Sequence, residues 1–245
     1  MAKRALILKG GTMRGAFLVG ALKTAHRVLG VNYFDAIFAN SVGVFEQAFF
    51  AANQPDIMEN TWREYVHGNQ LINFLNLLKG KPILDLDYLI DLFQSDKSFL
   101  NIEALKSSRP QLLTFITDYE NNEPILVDLK TGPVFDIMRA TCALPIIYPK
   151  KVIINGRRYT DSWLVENKKM KEILREKLIE YDEVFAISAY RNDHIPKEVK
   201  YTLKPSRMPL WGALDTNRER IIKTIEQGER DMERFIIKNN LIKNL

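Results

Sequence analysis

The sequence has little of several features that would define a class of protein. Its 245 residues include a single cysteine, Cys142, which excludes an internal disulfide and a cluster of thiolate metal ligands. No hydrophobic run approaches the length of about 20 residues that a membrane-spanning helix needs. The N-terminus lacks the long apolar stretch of a secretory signal. We therefore expect a location in a reducing compartment, the cytoplasm.

The balance of charge is close to even. Lysine and arginine number 35 against 30 aspartates and glutamates, a formal net charge of +5, and the basic residues are scattered along the chain. Nucleic-acid binding needs a dense basic face or a reading motif. The sequence has neither, so we expect no nucleic-acid partner. No cluster of histidine, aspartate or glutamate has the spacing of metal ligands, so we expect no metal or other cofactor.

The chain does have short apolar runs that alternate with helical patterns. The run 5–8 leads into glycines, and apolar residues at helical spacing follow it up to Gly30. A second run, 35–39, precedes an apolar helical stripe over 44–52. Buried strands that alternate with helices are typical of a parallel sheet covered on both faces. We predict one α/β domain over residues 1–245, a three-layer α/β/α fold with a mostly parallel central sheet.

The later segments extend this pattern. Residues 55–106 are expected to be largely helical, with breaks at Gly68 and at 79–82. Residues 111–117 and 124–129 are expected to pair as strands, and 134–142 to form a helix. Asn155-Gly156 lies between two short strands and is the strongest short signal for a hairpin turn.

The C-terminal segment predicts one long helix. Thr216 and Glu219 have the spacing of a capping box, and apolar residues then recur on one face. We expect a helix at about 216–240 that docks on the domain through that face. Insertion of the face at a membrane surface is the less favoured alternative, because the polar face is nearly as acidic as it is basic.

Ser41 has the surroundings of a catalytic serine. A nucleophile elbow needs small residues two positions before and two positions after its serine, because the sharp turn presses the backbone against a neighbouring strand and helix. Ala39 and Gly43 occupy those positions. The N-terminus of the following helix favours developing negative charge. The alternative role, a helix cap, is common for a serine before an apolar helix.

The glycine loop one helix earlier offers backbone donors for an oxyanion. The residues that we expect to form this oxyanion or anion-binding loop are Gly10, Gly11, Thr12, Arg14 and Gly15. The loop lacks the spacing of a dinucleotide-binding loop and the lysine of a P-loop, so we expect neither ligand. Arg14 is equally consistent with an anion anchor and with a solvated charge.

Three segments share their order with the motifs of one enzyme family. They are Gly10-Gly-Thr-Met-Arg-Gly15, Ala39-Asn-Ser-Val-Gly43 and Tyr159-Thr-Asp-Ser162, and together they resemble the patatin-like phospholipases. The resemblance implies a patatin-like fold and phospholipase A-type hydrolysis of carboxylic esters in lipids. It also implies a Ser-Asp dyad, with Ser41 as the nucleophile and Asp161 as its base. The implied substrate is a phospholipid or other acyl-ester lipid, reached through transient contact with a membrane surface.

Two other functions stay open at this point. A free aspartate has a pKa of about 3.9, so burial would have to raise the pKa of Asp161 for it to act as a base. The order Ser41, Asp161, His194 is also that of an α/β-hydrolase triad, which would give a soluble carboxylesterase or thioesterase. Side chains replace family glycines at three positions: Thr12, Ala39 and Ser162. A catalytically inactive module that binds lipid or a protein is therefore the second alternative.

Overall fold

The computed structural model describes residues 2–161 and 168–242, and a sheet of eight strands lies at the centre of this part of the chain. The strands are β1 (Arg4–Lys9), β2 (Ala36–Asn40), β3 (Gln111–Asp118), β4 (Glu123–Asp128), β5 (Val152–Ile154), β6 (Arg157–Thr160), β7 (Glu183–Ser188) and β8 (Tyr201–Leu203). Their order is β5-β6-β3-β2-β1-β7-β8, with β4 paired to β3. Strands β3, β2, β1, β7 and β8 run parallel, whereas β4, β5 and β6 pair antiparallel. The mostly parallel sheet predicted from the sequence is confirmed.

Helices connect the strands and cover both faces of the sheet. Within the described ranges they are α1 (Ala16–Leu29), α2 (Gly43–Ala51), α3 (Pro55–Glu64), α4 (Leu86–Gln94), α5 (Ile102–Ser107), α6 (Val134–Cys142), α7 (Lys168–Leu178) and α8 (Arg218–Lys238). Short 3-10 turns occupy Thr12–Gly15, Val31–Tyr33 and Phe74–Lys79. None of the described helices is both long and apolar enough to cross a membrane.

The two faces of the sheet bury different cores. Leu6 and Leu8 of β1 join the large core that includes residues of α1, α2 and α8. Ala5 and Ile7, which alternate with them, join a smaller core on the opposite face. Leu178 of α7 packs on that smaller side. The predicted three-layer α/β/α arrangement is therefore confirmed.

Three local predictions in the middle of the chain are also confirmed. β3 pairs with β4, α6 follows them, and Asn155-Gly156 turns between β5 and β6. The two turn residues have φ values of +51° and +78°. Positive φ at both positions is what a two-residue hairpin of this type requires.

Residues 55–106 are less helical than their pattern predicted. Between α3 and α4 the chain forms a loop closed by an isolated bridge from Ile72 to Leu84. The breaks predicted at Gly68 and at 79–82 are present: Gly68, at φ +63°, lies in the connection after α3, and Gly80, at φ +64°, ends the 3-10 turn Phe74–Lys79. The apolar residues of this connection therefore do not share one helix face.

The predicted capping box of Thr216 and Glu219 is wrong. Helix α8 begins at Arg218, and its cap is Asn217, whose side-chain oxygen accepts a hydrogen bond of 3.0 Å from the N–H of Arg220. Asparagine ranks above threonine as a helix cap. Because Asn217 already satisfies this N–H group, the helix starts one residue later than the capping box implied.

Helix α8 packs against α1 at a point where glycine on each helix meets the backbone of the other. A Cβ on Gly20 would lie 1.9 Å from the carbonyl oxygen of Ile225. A Cβ on Gly228 would lie 2.2 Å from the carbonyl oxygen of Phe17. The two helices therefore approach as closely as their backbones allow. Ile221 and Ile225, on the apolar face of α8, are fully buried.

Gly20→Ala is expected to lower the free energy of unfolding by about 3 kcal/mol, because α1 and α8 must separate to admit the methyl group. Urea unfolding followed by circular dichroism measures the change. Gly212→Ala is the control, since no heavy atom lies within 4 Å of a Cβ at that position. The control should change stability by less than about 0.5 kcal/mol. Equal stability of the two variants would contradict the close backbone contact.

Candidate active site

Ser41 lies in a sharp turn between β2 and α2. Its φ is +51°, a left-handed conformation that costs a non-glycine residue roughly 1–3 kcal/mol. The turn brings Gly43 against β1, where a Cβ would lie 3.2 Å from the carbonyl oxygen of Leu8. A side chain at position 43 would push α2 away from the sheet. Ala39 is buried within β2, opposite Leu8 of β1 and Thr114 of β3, so its methyl group is accommodated.

Hydrogen bonds hold the backbone of the serine turn. The Ser41 N–H donates to Thr141 Oγ1 at 3.2 Å, and the Thr141 hydroxyl donates to Asn40 Oδ1 at 3.2 Å. The hydroxyl of Thr114 lies 3.2 Å from that of Thr141. Helix α2 begins without a side-chain cap in this part of the structure. The capping role that is common for a serine before a helix is therefore not used here.

The glycine loop after β1 presses directly on the serine turn. A Cβ on Gly10 would lie 2.5 Å from Val42 Cγ1 and 2.9 Å from the backbone nitrogen of Gly43, so a side chain at position 10 does not fit. Thr12, two residues further on, has a φ of +49°. A β-branched residue in this region is a genuine outlier. The loop therefore stores strain next to Ser41.

Backbone strain in residues 2–161 and 168–242 is concentrated at these two turns. Six non-glycine residues have a positive φ, and four of them are asparagines, which tolerate the left-handed conformation. The other two are Thr12 and Ser41. Both residues line the same two cavities. Residues held in strained conformations cluster at functional sites. The backbone conformation of Thr12 and Ser41 therefore indicates a functional site at these two turns.

The hydrogen bonds of the glycine loop show which donors it can offer. The N–H of Met13 donates to the carbonyl oxygen of Ala213 at 2.9 Å. The N–H of Arg14 donates to the carbonyl oxygen of Gly11 at 3.0 Å. These two N–H groups already donate to carbonyl oxygens of the protein and are not available to a substrate. The N–H groups of Gly11 and Thr12 are the candidates for binding an oxyanion.

Tyr190 covers the glycine loop. A Cβ on Gly11 would lie 2.6 Å from Tyr190 Oη, and the Arg14 guanidinium lies 4.9 Å from the centre of the Tyr190 ring. Arg14 Nε is buried and has no hydrogen-bond partner in the described part of the chain. The guanidinium of Arg14 thus makes a cation–π contact with the ring of Tyr190 beside the loop. Gly15 packs against Trp62, where a Cβ would lie 3.0 Å from Cζ2.

Asp161 approaches the serine turn because β2 and β6 share one edge of β3. β2 pairs with the first half of β3, β6 pairs with its last two residues, and β4 occupies the opposite edge. The end of β6 therefore points towards the end of β2. Asp161 directly follows β6, is 1% exposed, and donates its N–H to the carbonyl oxygen of Ala143 at 3.2 Å. Asp161 and Ser41 line the same cleft. Ser162 lies outside the described residues.

Two further titratable groups are buried beneath the serine turn. Burial raises the pKa of the Cys142 thiol, and the charge of Asp161 raises it further. The thiol therefore stays protonated beside the Ser41 side chain. Burial also raises the pKa of Glu46 to about 8, although Trp62 Nε1 donates a hydrogen bond of 3.0 Å to its carboxylate. Glu46 is largely uncharged at neutral pH.

Ser41 lies where two cavities of different character meet. One is a narrow apolar cavity of about 40 Å³ between α2, α3 and α4. Its lining includes Phe45, Trp62, Leu71, Leu84, Leu89 and Phe93. The other is a wide cleft of about 1120 Å³ near the carboxyl ends of β1 and β2, the usual place for ligands in open α/β sheets. Its lining includes Asp161, Lys171, Tyr190, His194 and Lys197.

His194 lies in an exposed loop at the wide cleft. Its carbonyl oxygen accepts a hydrogen bond of 3.0 Å from Lys9 Nζ, which also pairs with Asp193 at 2.7 Å. The imidazole forms no hydrogen bond with Ser41 or Asp161 among the described residues. The structure brings the three members of the alternative triad to one cleft but does not connect them.

Several contributors to the site were not identified from the sequence. They are Thr141, Tyr190, Glu46 and Trp62. Glu46 had a detectable signal, because a carboxylate within the apolar helical stripe 44–52 must be buried. Tyr190 had none, since only tertiary packing brings the residue after β7 over the glycine loop.

The chain is similar to known proteins over most of its length. A family model described as patatin-like phospholipase matches residues 6–172. The uncharacterized protein YjjU of Escherichia coli strain K12 is 25% identical over 253 residues, which cover 96% of this chain and 64% of YjjU. The chain thus spans less than two thirds of the length of that relative.

Two solved structures align with nearly the whole of this chain. VipD from Legionella pneumophila aligns with a TM-score of 0.56 and 9% identity, over 97% of this chain and 67% of VipD. The type III effector protein ExoU gives a TM-score of 0.47 and 12% identity, over 98% of this chain and 54% of ExoU. At 9% identity the likeness to VipD supports the fold alone. The family model, however, spans more than half of the sequence, and the chain therefore belongs to the patatin-like phospholipase family.

Proposed function

We propose that this chain is a lipid acyl hydrolase of the phospholipase A type, which cleaves carboxylic esters through a Ser-Asp dyad. Family membership supports the hydrolysis of lipid. The observation that carries the finer assignment is the strain at Thr12 and Ser41, the two left-handed residues of the described chain that are neither glycine nor asparagine. We assign the activity to one domain over residues 1–245. A single cysteine favours a cytoplasmic location.

In the proposed reaction Asp161 acts as the base. Its carboxylate accepts the hydroxyl proton of Ser41 while the serine oxygen attacks the ester carbonyl carbon. The bond between the carbonyl carbon and the alcohol oxygen then breaks, and Asp161 returns the proton to the leaving alcohol. Water hydrolyses the acyl-serine in the second half, with Asp161 again accepting a proton and returning it to Ser41.

Negative charge develops on the carbonyl oxygen of the substrate, and the glycine loop supplies donors for it. The N–H groups of Gly11 and Thr12 are the proposed oxyanion donors, and α2 adds its N-terminal dipole. Donors of this kind contribute about 3 kcal/mol each when they are held in position before the reaction. The left-handed φ of Thr12 sets the direction of the neighbouring peptide groups. Arg14, stacked on Tyr190, adds positive charge beside them.

The two cavities divide an ester substrate between them. The part of the acyl chain next to the ester suits the narrow apolar cavity of about 40 Å³, because its lining is almost entirely hydrophobic and the nearby Glu46 is largely uncharged. The alcohol portion suits the wide cleft, whose Lys171 and Lys197 form no ion pair within the described ranges. A phospholipid combines an apolar acyl chain with an anionic head group. This division supports phospholipid over a small soluble ester.

Ser41→Ala is expected to abolish ester hydrolysis and labelling by a fluorophosphonate probe, because only an activated serine reacts quickly with such a probe. The fold should survive, since the turn is held by backbone contacts. Ser107→Ala, at an exposed position on α5, is the control and should label normally. Undiminished labelling of the Ser41 variant would end the elbow assignment. A native protein that resists the probe would favour the inactive module.

Asp161→Asn is expected to reduce turnover by about a thousandfold or more, because an amide cannot accept the serine proton. His194→Ala should change turnover by less than about twofold if the dyad is correct. Turnover of a water-soluble p-nitrophenyl ester measures both, with circular dichroism to verify folding. The histidine variant is decisive, because loss of a triad member would be as damaging as loss of Ser41. A thousandfold loss in folded His194→Ala protein would overturn the dyad.

Leu89→Trp is expected to shift the preference of the enzyme towards short acyl chains, because the indole would fill the narrow cavity that Leu89 lines. Leu89→Ala should shift it in the opposite direction. Hydrolysis rates across p-nitrophenyl esters from acetate to palmitate give the profile. Ile90→Ala is the matched control, since Ile90 is equally buried on α4 but does not line the cavity. An unchanged profile in both Leu89 variants would show that the acyl chain lies elsewhere.

A further inference from the structure

The loop over residues 72–84, which we call the apolar hairpin, exposes large apolar side chains. Its base is closed by the bridge between Ile72 and Leu84 and by a hydrogen bond of 2.8 Å from Asn73 N–H to the Ile83 carbonyl oxygen. Its tip is the 3-10 turn Phe74–Lys79. The exposed side chains at the tip are Phe74 (54%), Leu75 (57%), Leu77 (61%) and Leu78 (86%). These residues contribute little to the core of the protein.

The tip of the apolar hairpin has a defined shape. The Asn73 side chain accepts a hydrogen bond from Leu75 N–H at 3.0 Å, and Asn76 Nδ2 donates to the Pro82 carbonyl oxygen at 2.9 Å. Gly80, at φ +64°, ends the turn and donates to the Leu77 carbonyl oxygen at 3.2 Å. The polar side chains are thus bonded to the backbone of the hairpin, while the apolar side chains face outwards. This is the reverse of an ordinary surface turn.

The charged residues within the segment 65–84 have one sign. No aspartate or glutamate occurs between Glu64 and Asp85. Lys79 and Lys81 follow the apolar residues, are exposed, and form no ion pair in the part of the chain that the structure describes. Exposed apolar side chains with adjacent lysines suit the interface of an anionic membrane, where the former enter the acyl region and the latter contact head groups.

The apolar hairpin is joined to the mouth of the candidate active site. The N–H of Leu84 donates to the carbonyl oxygen of Ile147 at 3.0 Å, and Leu84 lines the narrow cavity together with Ser41. Ile146 is 76% exposed and lines the wide cleft, also together with Ser41. A surface that received the tip would therefore lie close to the opening through which a lipid reaches Ser41.

We propose that residues 74–81 insert into the surface of an anionic phospholipid bilayer and dock the mouth of the active site on it. The inference rests on the proposed function in that the substrate is then a lipid of the same membrane. A second copy of the chain fits this tip less well, because like-charged lysines would meet across a symmetric contact. The proposed partner is therefore a lipid surface carrying negative charge.

Vesicle binding tests the proposal without any use of activity. In protein carrying Ser41→Ala, which prevents hydrolysis of the vesicles, the double change Leu77→Asp with Leu78→Asp should weaken binding to vesicles of phosphatidylcholine and phosphatidylglycerol by at least about tenfold. Lys79→Ser with Lys81→Ser should weaken binding to these vesicles but not to phosphatidylcholine alone. Co-sedimentation measures both effects.

The matched control is Ile179→Asp with Ile237→Asp, two isoleucines that are 77% and 72% exposed outside the apolar hairpin. This control should bind vesicles as the parent does. Binding by the Leu77 and Leu78 double variant that equals the parent would overturn the proposal. A concentration-dependent dimer of the parent that the double variant loses, with no vesicle binding by either, would overturn it in favour of a second copy.

An activity comparison separates this inference from the proposed function. In protein that keeps Ser41, the Leu77 and Leu78 double variant should hydrolyse a water-soluble short ester at the parental rate. The same variant should lose most of its rate of hydrolysis on anionic vesicles. Equal loss on both substrates would contradict a docking role. Vesicle binding that depends on the tip, in a protein that hydrolyses no ester, would sustain the docking surface and defeat the proposed function.

Discussion

The loop at Gly10 and the turn at Ser41 touch with no room for a side chain between them, and the rest of the candidate site depends on this contact. A Cβ on Gly10 would meet Val42 and the backbone of Gly43. The contact ties two separate strand-to-helix connections into one unit. Within that unit Thr12 and Ser41 are both left-handed, at a cost of roughly 1–3 kcal/mol each. The parallel pairing of β1 with β2 stabilises the arrangement, because it sets the level at which both turns leave the sheet.

The second constraint is the way in which the sheet uses one edge of β3. β2 pairs with four residues at the start of β3, and β6 runs antiparallel to β3 along the same edge and pairs with its last two residues. Two chain segments more than a hundred residues apart therefore end face to face, one followed by Ser41 and the other by Asp161. The antiparallel hairpin of β5 and β6 thus places the carboxylate of Asp161 at the edge of the sheet beside the end of a parallel strand. Thr141, which accepts the Ser41 N–H, comes from the helix that precedes this hairpin.

Around this site a carboxyl group is buried and several large apolar side chains are exposed, the reverse of the usual distribution. Glu46 is buried below it and largely uncharged at neutral pH, while Phe74 and Leu78 are exposed beside it. The C-terminal helix was the more obvious amphipathic segment, yet Ile221, Ile225 and Met232 of its apolar face are buried, and Gly20 and Gly228 bring its backbone close to that of α1. A group of exposed apolar residues lies instead in the loop between α3 and α4, a segment that the sequence predicted to be helical with breaks at Gly68 and at 79–82.

The sequence by itself determined the alternating strands and helices, the Asn155-Gly156 hairpin and the small residues around Ser41, because each of these depends on neighbours within a few positions. It could name Asp161 only through a resemblance, since no local rule says which strand edge a carboxylate will reach. The left-handed φ of Thr12, the placement of Tyr190 over the glycine loop and the exposure of residues 74–78 were decided by the tertiary structure alone. The first two result from contacts between segments far apart in the chain, which leave no periodic signal in the sequence. The third follows from the way in which the loop closes on itself between Ile72 and Leu84.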